Sequence, residues 1–414
     1  MDTSPALQPS PRELDIDTLA EFDARTGRDS RDESGDEPGR DTGHGPGHPG
    51  RRRDRLPDQQ PVRMAGWHLQ SLDLADRRDV LERVDVSGAV FLGCELPEGT
   101  IDALRGRGAL IFPELPGLPF DPYRGGLYTA PELYAGLGED AYEHTPDALV
   151  YAWTRRDDAG RSGLDAALAT TLHDHAIGAA LAQLLDDDGA SGVRIPGRGV
   201  VGVMGGHAAG RGSPTYVAAS RLGRDLARAG FTVATGGGPG AMEAANLGAY
   251  LSGAGKPALQ EAIAALEATP SFRPSVSRWA RAALAVLERH PQGTPSIGIP
   301  TWFYGHEPPN LFASHIAKYF ANSIREDVLL SVCTAGLVVL PGAAGTVQEI
   351  FQDACENYYG TAQTQTPMVL VGRRHWTREL PAWPLLQSLA RGREMAGSIH
   401  LVDSVEEAVA ILAG

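Results

Sequence analysis

The sequence contains little cysteine and almost no lysine. Its three cysteines, Cys94, Cys333 and Cys355, are widely separated and form no C-x-x-C pair. We therefore expect neither a disulfide framework nor a thiolate zinc site. Of its 37 basic residues only Lys256 and Lys318 are lysines, so mechanisms that need several lysines are excluded.

Long apolar runs and excess positive charge are also missing. No run approaches the roughly 18 apolar residues of a membrane span, and the N-terminus lacks the basic and apolar regions of a signal peptide. The formal charge of −15 repels polyphosphate backbones and anionic membranes. We expect a cytoplasmic protein that binds neither nucleic acid polymers nor membranes, and that holds any phosphate locally.

The first part of the chain divides into two segments by composition. Residues 1–62 contain one aromatic residue, Phe22, and many charges of both signs, which predicts a disordered segment. Within it, His44 and His48 are interpreted as part of a low-complexity linker rather than as metal ligands. Residues 63–190 have a globular pattern and predict a small α/β domain of unknown role.

Short strands at 89–92 and 109–112 and a helix at 163–185 are expected in that small domain. His173, Asp174 and His175 resemble a metal cluster, but the two histidines are two positions apart and face different sides of a helix, which favours a structural role. The Asp- and Gly-rich residues 186–192 indicate the interdomain linker.

Residues 196–414 alternate between apolar strands and amphipathic helices, with a helical insertion at 252–294. Strands that are almost continuously apolar, each followed by a helix, predict a Rossmann-like, doubly wound parallel sheet. Strands are predicted at 199–204, 231–235, 296–300, 336–340, 367–371 and 399–402, and helices at 214–229, 241–251, 311–331 (largely helical), 346–358, 385–396 and 405–412.

Three glycine-rich loops follow strands of this sheet, at Gly205-Gly206, Gly236–Gly240 and Pro341–Thr346. Because ligands bind at the carboxyl ends of parallel strands, all three loops should lie on one rim. The third loop leads into a helix, whose free N–H groups and dipole create an anion site. Alternatively, Thr346 and Glu349 form a capping box at that helix start.

The middle loop also permits a different interpretation. Gly236, Gly238 and Ala241 fit the dinucleotide-binding fingerprint, but that motif expects an acidic residue about 20 positions later, where this chain has a loop at 253–257. NAD or FAD binding is therefore disfavoured. The chain has no G-x-x-x-x-G-K-[ST] motif, which excludes a Walker-type ATP or GTP site.

Together the three loops resemble those of the LONELY GUY (LOG) family of phosphoribohydrolases. The resemblance rests on three ordered segments: Gly202-Val-Met-Gly-Gly206, Thr235-Gly-Gly-Gly-Pro-Gly-Ala-Met-Glu-Ala244, and Ser323-Ile-Arg325 with Pro341-Gly-Ala-Ala-Gly-Thr-Val-Gln-Glu349. It covers about half of the chain. Glu307-Pro-Pro-Asn310 and the form of the second loop are more similar to the longer bacterial nucleotide 5′-monophosphate nucleosidases.

The resemblance implies hydrolysis of the N-glycosidic bond of a nucleoside 5′-monophosphate, without metal or cofactor, by a homodimer or larger assembly. Glu349 would be the catalytic carboxylate, Arg325 would hold phosphate or ribose oxygens, and Glu243 is a second carboxylate candidate. Residues implied to bind the nucleotide and its phosphate are Gly205, Gly206, Gly236, Gly237, Gly238, Gly240, Met242, Gly342, Ala343, Gly345 and Thr346. The sequence does not indicate which base is preferred.

Ala343 departs from the family pattern, which has glycine there, and its methyl group would crowd the phosphate or forbid a positive φ. This departure and the additional domain motivate an alternative, a nucleotide-binding regulatory protein with little or no hydrolysis. A third possibility, lysine decarboxylation, requires a lysine Schiff base to pyridoxal phosphate. It is disfavoured because neither Lys256 nor Lys318 lies beside a phosphate loop.

Overall fold

The computed structural model describes residues 14–27, 61–138, 141–156, 163–186, 198–303, 307–361 and 365–414. The chain forms two compact units, one of Met1–Gly117 with Tyr123–Gly125 and one of Leu118–Pro122 with Gly126–Gly414. His44, His48 and residues 187–192 of the predicted linker lie outside the described residues. In the described ranges, no helix combines the length and the apolar character needed to cross a bilayer.

The smaller unit is built on a four-stranded parallel sheet in sequential order. Its strands are β1 (Leu14–Ile16), β2 (Trp67–Gln70), β3 (Val90–Leu92) and β4 (Leu110–Phe112). Helices α1 (Leu19–Thr26), α2 (Arg78–Arg83) and α3 (Ile101–Gly106) follow the first three strands. The last three strands begin about 20 residues apart, a spacing typical of solenoids with one strand and one helix per repeat.

The prediction of disorder over residues 1–62 is wrong for residues 14–26. Leu14 pairs with Trp67 in the sheet, and Phe22 of α1 is completely buried. Thr18 caps α1 by accepting a hydrogen bond from the Glu21 N–H. Composition averaged over 62 residues concealed this short segment, whose few apolar side chains fill the core of the smaller unit.

The larger unit contains a seven-stranded sheet in which every neighbouring pair is parallel. Its strands are β5 (Val200–Met204), β6 (Thr232–Thr235), β7 (Ile297–Gly298), β8 (His315–Ile316), β9 (Gly336–Val339), β10 (Met368–Val371) and β11 (Ile399–Val402), in the order β11-β10-β9-β5-β6-β7-β8. The strand order reverses between β5 and β9. The crevice outside their carboxyl ends is the usual ligand position in such sheets.

Helices flank this sheet and complete the predicted α/β, Rossmann-like fold. Helix α7 packs against α8 and α14, and α12 packs against α11 and α13, while α9 and α10 fill the predicted insertion. The helices are α4 (Ala130–Leu133), α5 (Pro146–Thr154), α6 (Leu164–Asp186), α7 (Pro214–Arg228), α8 (Ala241–Tyr250), α9 (Lys256–Glu267), α10 (Val276–Arg289), α11 (Asn322–Ser331), α12 (Ala344–Tyr359), α13 (Ala382–Ala390) and α14 (Val405–Ala413).

The boundary between the units lies well before the predicted one near residue 190. Helices α4 to α6 belong to the larger unit, so the predicted domain of 63–190 is too long. The Tyr128 backbone exchanges hydrogen bonds of 3.0 and 2.8 Å with Ile316 of β8. The buried Asp174 of α6 accepts hydrogen bonds from the Phe320 and Ala321 N–H groups. These helices therefore complete the core beside the sheet edge instead of forming a domain of their own.

The segment predicted as largely helical at 311–331 is helical only from Asn322 onward. The Asn310 side chain accepts hydrogen bonds from the Phe312 and Ala313 N–H groups, which forms a turn at the start of the segment. His315 and Ile316 then pair with β7 as an additional edge strand. The apolar run was compatible with either structure, and the neighbouring strand decided between them.

Candidate functional site

A cavity of about 880 Å³ opens at the carboxyl ends of β5, β6 and β9. This volume lies within the range of small-molecule sites, roughly 300 to 1,000 Å³. The three glycine-rich loops all contribute to its wall, as the strand order requires. Predicted site residues in its lining are Gly205, Gly206, Gly236, Gly238, Met242, Arg325, Gly342, Ala343, Gly345, Thr346 and Glu349.

Backbone hydrogen bonds join the three loops to one another. The Gly206 N–H donates to the Pro341 carbonyl at 3.2 Å, and the Ala241 N–H donates to the Gly206 carbonyl at 3.2 Å. The loop after β5 therefore bridges the other two. The rim of the cavity is a connected backbone surface, so its polar groups are already arranged before a ligand enters.

The buried Asn310 holds the middle glycine loop, Gly236–Gly240, in place through hydrogen bonds. Its backbone N–H donates to the Gly237 carbonyl at 2.8 Å, and its Nδ2 donates to the Gly238 carbonyl at 3.3 Å and to Asn246 Oδ1 at 3.0 Å. Sequence reasoning noted Asn310 only as part of a motif. The structure shows that it holds the glycine loop in place.

The loop after β9 forms a cradle at the start of α12. The helix begins at Ala344, and no side chain of the described residues caps its N-terminus at Ala343. The first N–H groups of a helix lack intrahelical partners, and the dipole makes this end positive. A Cβ at Gly342 would collide with the Thr346 side chain, so the loop approaches the helix too closely for a larger residue. This end of the cavity suits an anion such as phosphate.

The capping-box interpretation of Thr346 and Glu349 is wrong. Thr346 is the third residue of α12 and not its N-cap. The Glu349 carboxyl faces the cavity, where Oε1 lies 3.9 Å from Arg325 Nη1. Because the helix starts two residues earlier than predicted, the carboxyl group is free from local capping and available to a ligand.

Glu349 is buried, with 7 % of its surface exposed. Burial raises the pKa of its carboxyl group from 4.5 to about 8; the Arg325 guanidinium lowers this pKa and the Glu326 carboxylate raises it. The unfavourable desolvation of a charged carboxylate exceeds the attraction of an arginine at 3.9 Å. At pH 7 the group is therefore mostly protonated.

Arg325 of α11 is held by backbone carbonyls. Its Nε donates to the Ile299 carbonyl at 2.8 Å, and its Nη2 donates to the Gly236 carbonyl at 3.4 Å. A Cβ at Gly236 would collide with Nη2, so glycine is required for this close approach. With these donors engaged, the guanidinium presents Nη1 to the carboxylates of the cavity, whereas the resemblance implied that it grips phosphate or ribose oxygens.

Glu326, the residue after Arg325, also lines the cavity, and the sequence did not predict this. Its Oε1 lies 2.6 Å from Arg325 Nη1, and only 4 % of the residue is exposed. From the sequence the two residues could equally have been a surface charge cluster. The sequence feature that could have indicated the burial of Glu326 is the i, i+4 spacing of Asn322, Glu326 and Leu330, which places all three on one buried face of α11.

Glu243, the second predicted catalytic carboxylate, lies outside the cavity lining. It is 1 % exposed and accepts a hydrogen bond of 2.9 Å from Arg211 Nε, while Arg211 Nη1 donates to the Trp279 carbonyl. This buried pair connects α8 to the helical insertion and has a structural role. Gly237 and Gly240 also lie outside the lining, where they shape the backbone of the middle loop.

Two histidines that the sequence did not single out lie at the cavity wall. His207 Nδ1 is 3.3 Å from Glu307 Oε1. His375 Nε2 is 3.2 Å from the Gly342 carbonyl, and its Nδ1 is 3.3 Å from Glu379 Oε2. The second histidine therefore braces the cradle from the element after β10.

Ala343 adopts φ −124°, a conformation open to any residue. The expected conflict between a side chain and a positive φ is therefore absent at this position. Its methyl group lies on an exposed part of the cavity wall. Alanine here changes the contact surface of the loop and leaves its backbone unstrained.

Lys318 lies outside the cavity lining and is 1 % exposed. Its ammonium group pairs with Asp147, 4.8 Å from the centre of the Trp302 ring. The Lys256 side chain lies outside the described residues. His173 is buried, with Nε2 2.8 Å from the Tyr128 hydroxyl. In the described part of the chain, no three His, Cys, Asp or Glu residues are grouped to hold a metal ion.

No family model matches the chain, and no curated protein matches it. Similar solved structures include the molybdenum cofactor carrier protein of Chlamydomonas reinhardtii (20 % identity, 53 % of this chain and 96 % of that one, TM-score 0.33). Others are TM1055 (23 %, 52 % and 98 %, 0.34) and the molybdenum cofactor binding protein of Rippkaea orientalis (19 %, 53 % and 96 %, 0.31). Similarity at this level concerns the fold. Fold and site together define a Rossmann-like α/β protein with a preformed cavity at the switch point of its sheet.

Proposed function

We propose that this protein hydrolyses the N-glycosidic bond of nucleoside 5′-monophosphates, giving a free base and ribose 5-phosphate. The observation that carries the proposal is the position of Glu349 on α12, about one and a half helical turns after the N-terminus of the same helix. At about 1.5 Å per residue, the helix advances roughly 7.5 Å between Ala344 and Glu349. In a nucleoside 5′-monophosphate the phosphate is only a few bonds from the anomeric carbon C1′. The phosphate can therefore bind at the N-terminus of α12 while C1′ lies beside Glu349.

The 5′-phosphate binds in the cradle of Gly342, Ala343, Gly345 and Thr346, where backbone N–H groups and the helix dipole offset its charge. The ribose then lies beside Glu349. Cleavage of the bond between C1′ and the base nitrogen develops positive charge on the sugar, as in glycoside hydrolysis. Water adds to C1′, and its proton leaves with the base.

Glu349 stabilises the developing cation as a carboxylate and orients the attacking water. This role needs the ionised form, which dominates only above the pKa of about 8. Arg325, anchored by the Ile299 and Gly236 carbonyls, positions the carboxyl group and favours its ionisation. The proposal therefore places the active form of the site on the alkaline side of neutrality.

The raised pKa of Glu349 also favours a second candidate, a nucleotide-binding regulatory protein with slow hydrolysis. A neutral carboxyl group does not stabilise a cation, so a nucleotide would bind near neutral pH without being cleaved. The two functions share a ligand and differ in turnover.

Purified protein incubated with a panel of nucleoside monophosphates, with ribose 5-phosphate as the measured product, separates the two. Release at pH 8.5 that is lost in Glu349→Gln supports hydrolysis. The matched control is Glu356→Gln, an exposed glutamate on the same helix. Nucleotide binding by calorimetry without release of ribose 5-phosphate at any pH would favour the regulatory role, and absence of binding would contradict both.

A further inference from the structure

Glu326 has one carboxylate oxygen without a hydrogen-bond partner. Its Oε1 forms an ion pair with Arg325 Nη1 at 2.6 Å and accepts a hydrogen bond from Asn322 Nδ2 at 3.5 Å. Its Oε2 is buried, and no donor among the described residues contacts it. The residue is 4 % exposed and belongs to the cavity lining. Glu326, a residue of the cavity wall, therefore carries a buried acceptor oxygen that no donor among the described residues satisfies.

An unpaired buried carboxylate oxygen is unfavourable, since it has lost water without gaining another donor. A ligand that brings a hydroxyl or N–H group to this oxygen restores the lost hydrogen bond. A phosphate dianion cannot do so, because it offers only acceptors and carries the same sign of charge. The unsatisfied oxygen thus selects for the part of a ligand that donates hydrogen bonds.

We propose that Glu326 accepts a hydrogen bond from the 2′-hydroxyl of the bound nucleotide and thereby selects ribonucleotides over 2′-deoxyribonucleotides. This inference rests on the proposed function, which places C1′ beside Glu349. Both carboxylates lie near the same Arg325 Nη1 atom, at 2.6 Å for Glu326 and 3.9 Å for Glu349. The 2′-hydroxyl is on the carbon next to C1′, so it is the nucleotide donor nearest to that pair.

Two hydrogen bonds donated by Arg325 keep the side chains of Arg325 and Glu326 in a fixed position. Its bonds to the Ile299 and Gly236 carbonyls hold the guanidinium, and the guanidinium holds Glu326 Oε1. Oε2 therefore keeps its position when the ligand is absent. A site built to bond a hydroxyl discriminates strongly against the analogue that lacks it, because its own polar group then stays unpaired.

The test is calorimetry with AMP, 2′-deoxy-AMP and 3′-deoxy-AMP on Glu349→Gln protein, which does not consume the ligand, and on the same protein with Glu326→Ala or Glu326→Gln added. We expect AMP to bind about tenfold or more tightly than 2′-deoxy-AMP when Glu326 is present. The Ala variant should lose this preference by weakening AMP alone, and the Gln variant, which keeps an acceptor oxygen, should retain part of it. Asp327→Ala, an exposed neighbour on α11, is the control.

Initial rates with the same three nucleotides on otherwise wild-type protein give the corresponding ratio of kcat/KM. An unchanged ratio in Glu326→Ala, or equal weakening of all three nucleotides, would overturn the inference and indicate a structural role. The inference would also be overturned if the affinity or rate lost in Glu326→Ala depended on the 3′-hydroxyl or on the base and not on the 2′-hydroxyl. Binding with the expected preference but without hydrolysis would overturn only the proposed function, whereas no nucleotide binding at all would overturn both.

Discussion

Arg325 Nη1 lies 3.9 Å from Glu349 Oε1, too far for a direct hydrogen bond. The Arg325 guanidinium therefore attracts the Glu349 carboxylate electrostatically without donating a hydrogen bond to it. Burial at the same time removes the carboxyl group from water. Its pKa of about 8 is the result of this balance. A buried carboxyl group with a pKa near physiological pH, facing a cavity, is typical of functional sites.

Replacing Glu349 with glutamine should abolish most hydrolysis and leave nucleotide binding nearly unchanged. The amide keeps the shape of the side chain but cannot offset positive charge on the sugar. We expect kcat to fall by about 10² to 10⁴-fold. Release of ribose 5-phosphate from AMP measures the loss. Wild-type turnover in this variant would exclude Glu349 as the catalytic carboxylate.

The pH dependence of kcat/KM should follow the ionisation of Glu349. Because the carboxylate is the active form, the rate should rise with pH and level off above about 8. Initial rates between pH 6 and 9.5 measure this profile. A rate that instead falls through the same range would show that Glu349 acts as a protonated general acid.

The same pKa predicts how stability changes with pH. The native state keeps Glu349 protonated between its usual pKa of 4.5 and about 8, while the unfolded state releases the proton. Its contribution to stability is therefore fully present below pH 4.5 and is lost as pH rises through 8. The Glu349→Gln variant should gain stability relative to wild type as pH increases over this window. Denaturant unfolding at pH 5 and pH 9 checks this, and an equal difference at both would contradict it.

The cradle predicts that the 5′-phosphate is required. AMP should be a far better substrate than adenosine, because only the phosphate meets the N-terminus of α12. Gly342→Ala, whose Cβ would collide with the Thr346 side chain, should weaken AMP binding by about tenfold or more if the cradle binds phosphate. Gly397→Ala, where a Cβ meets no atom within 4 Å, is the matched control. Similar turnover of adenosine and AMP would refute the cradle.

Replacing Ala343 with glycine should change little. Ala343 has φ −124°, so its backbone gains nothing from glycine, and the added loop entropy costs about 0.5 to 1 kcal/mol at most. We expect the Kd for AMP in Ala343→Gly to stay within a few-fold of wild type. Calorimetry on both proteins decides. A loss of tenfold or more, with the fold intact, would mean that the methyl group contacts the substrate.

Asn310→Asp should destabilise the larger unit and loosen the middle loop. The carboxylate cannot donate to the Gly238 carbonyl or to Asn246 Oδ1, so both acceptors lose this donor and Asn246 Oδ1 keeps only its bond from the Thr235 hydroxyl. Each unsatisfied buried group costs roughly 1 to 3 kcal/mol. Thermal and denaturant unfolding measure the change. Unaltered stability would show that water or a shifted side chain replaces the lost donor.

The sequence by itself determined the architecture of the larger unit and the position of its cavity. Continuous apolar strands such as Val338–Leu340 can be buried only between two helical layers, and glycine loops after such strands meet at one rim. The placement of Thr346 and Glu349 on one helix was equally predictable, because helical periodicity is encoded by neighbouring residues.

Only the tertiary structure decided which carboxylates share the cavity. Glu326 and Glu243 are both buried carboxylates on helices of the larger unit, yet one lines the cavity and the other pairs with Arg211. It also decided that α4 to α6 complete the larger unit, and that residues 14–26 belong to the smaller unit. The physical reason is the same in each case. The face that a helix or strand buries depends on partners far away in the chain, such as Trp67 for Leu14, and local periodicity does not identify those partners.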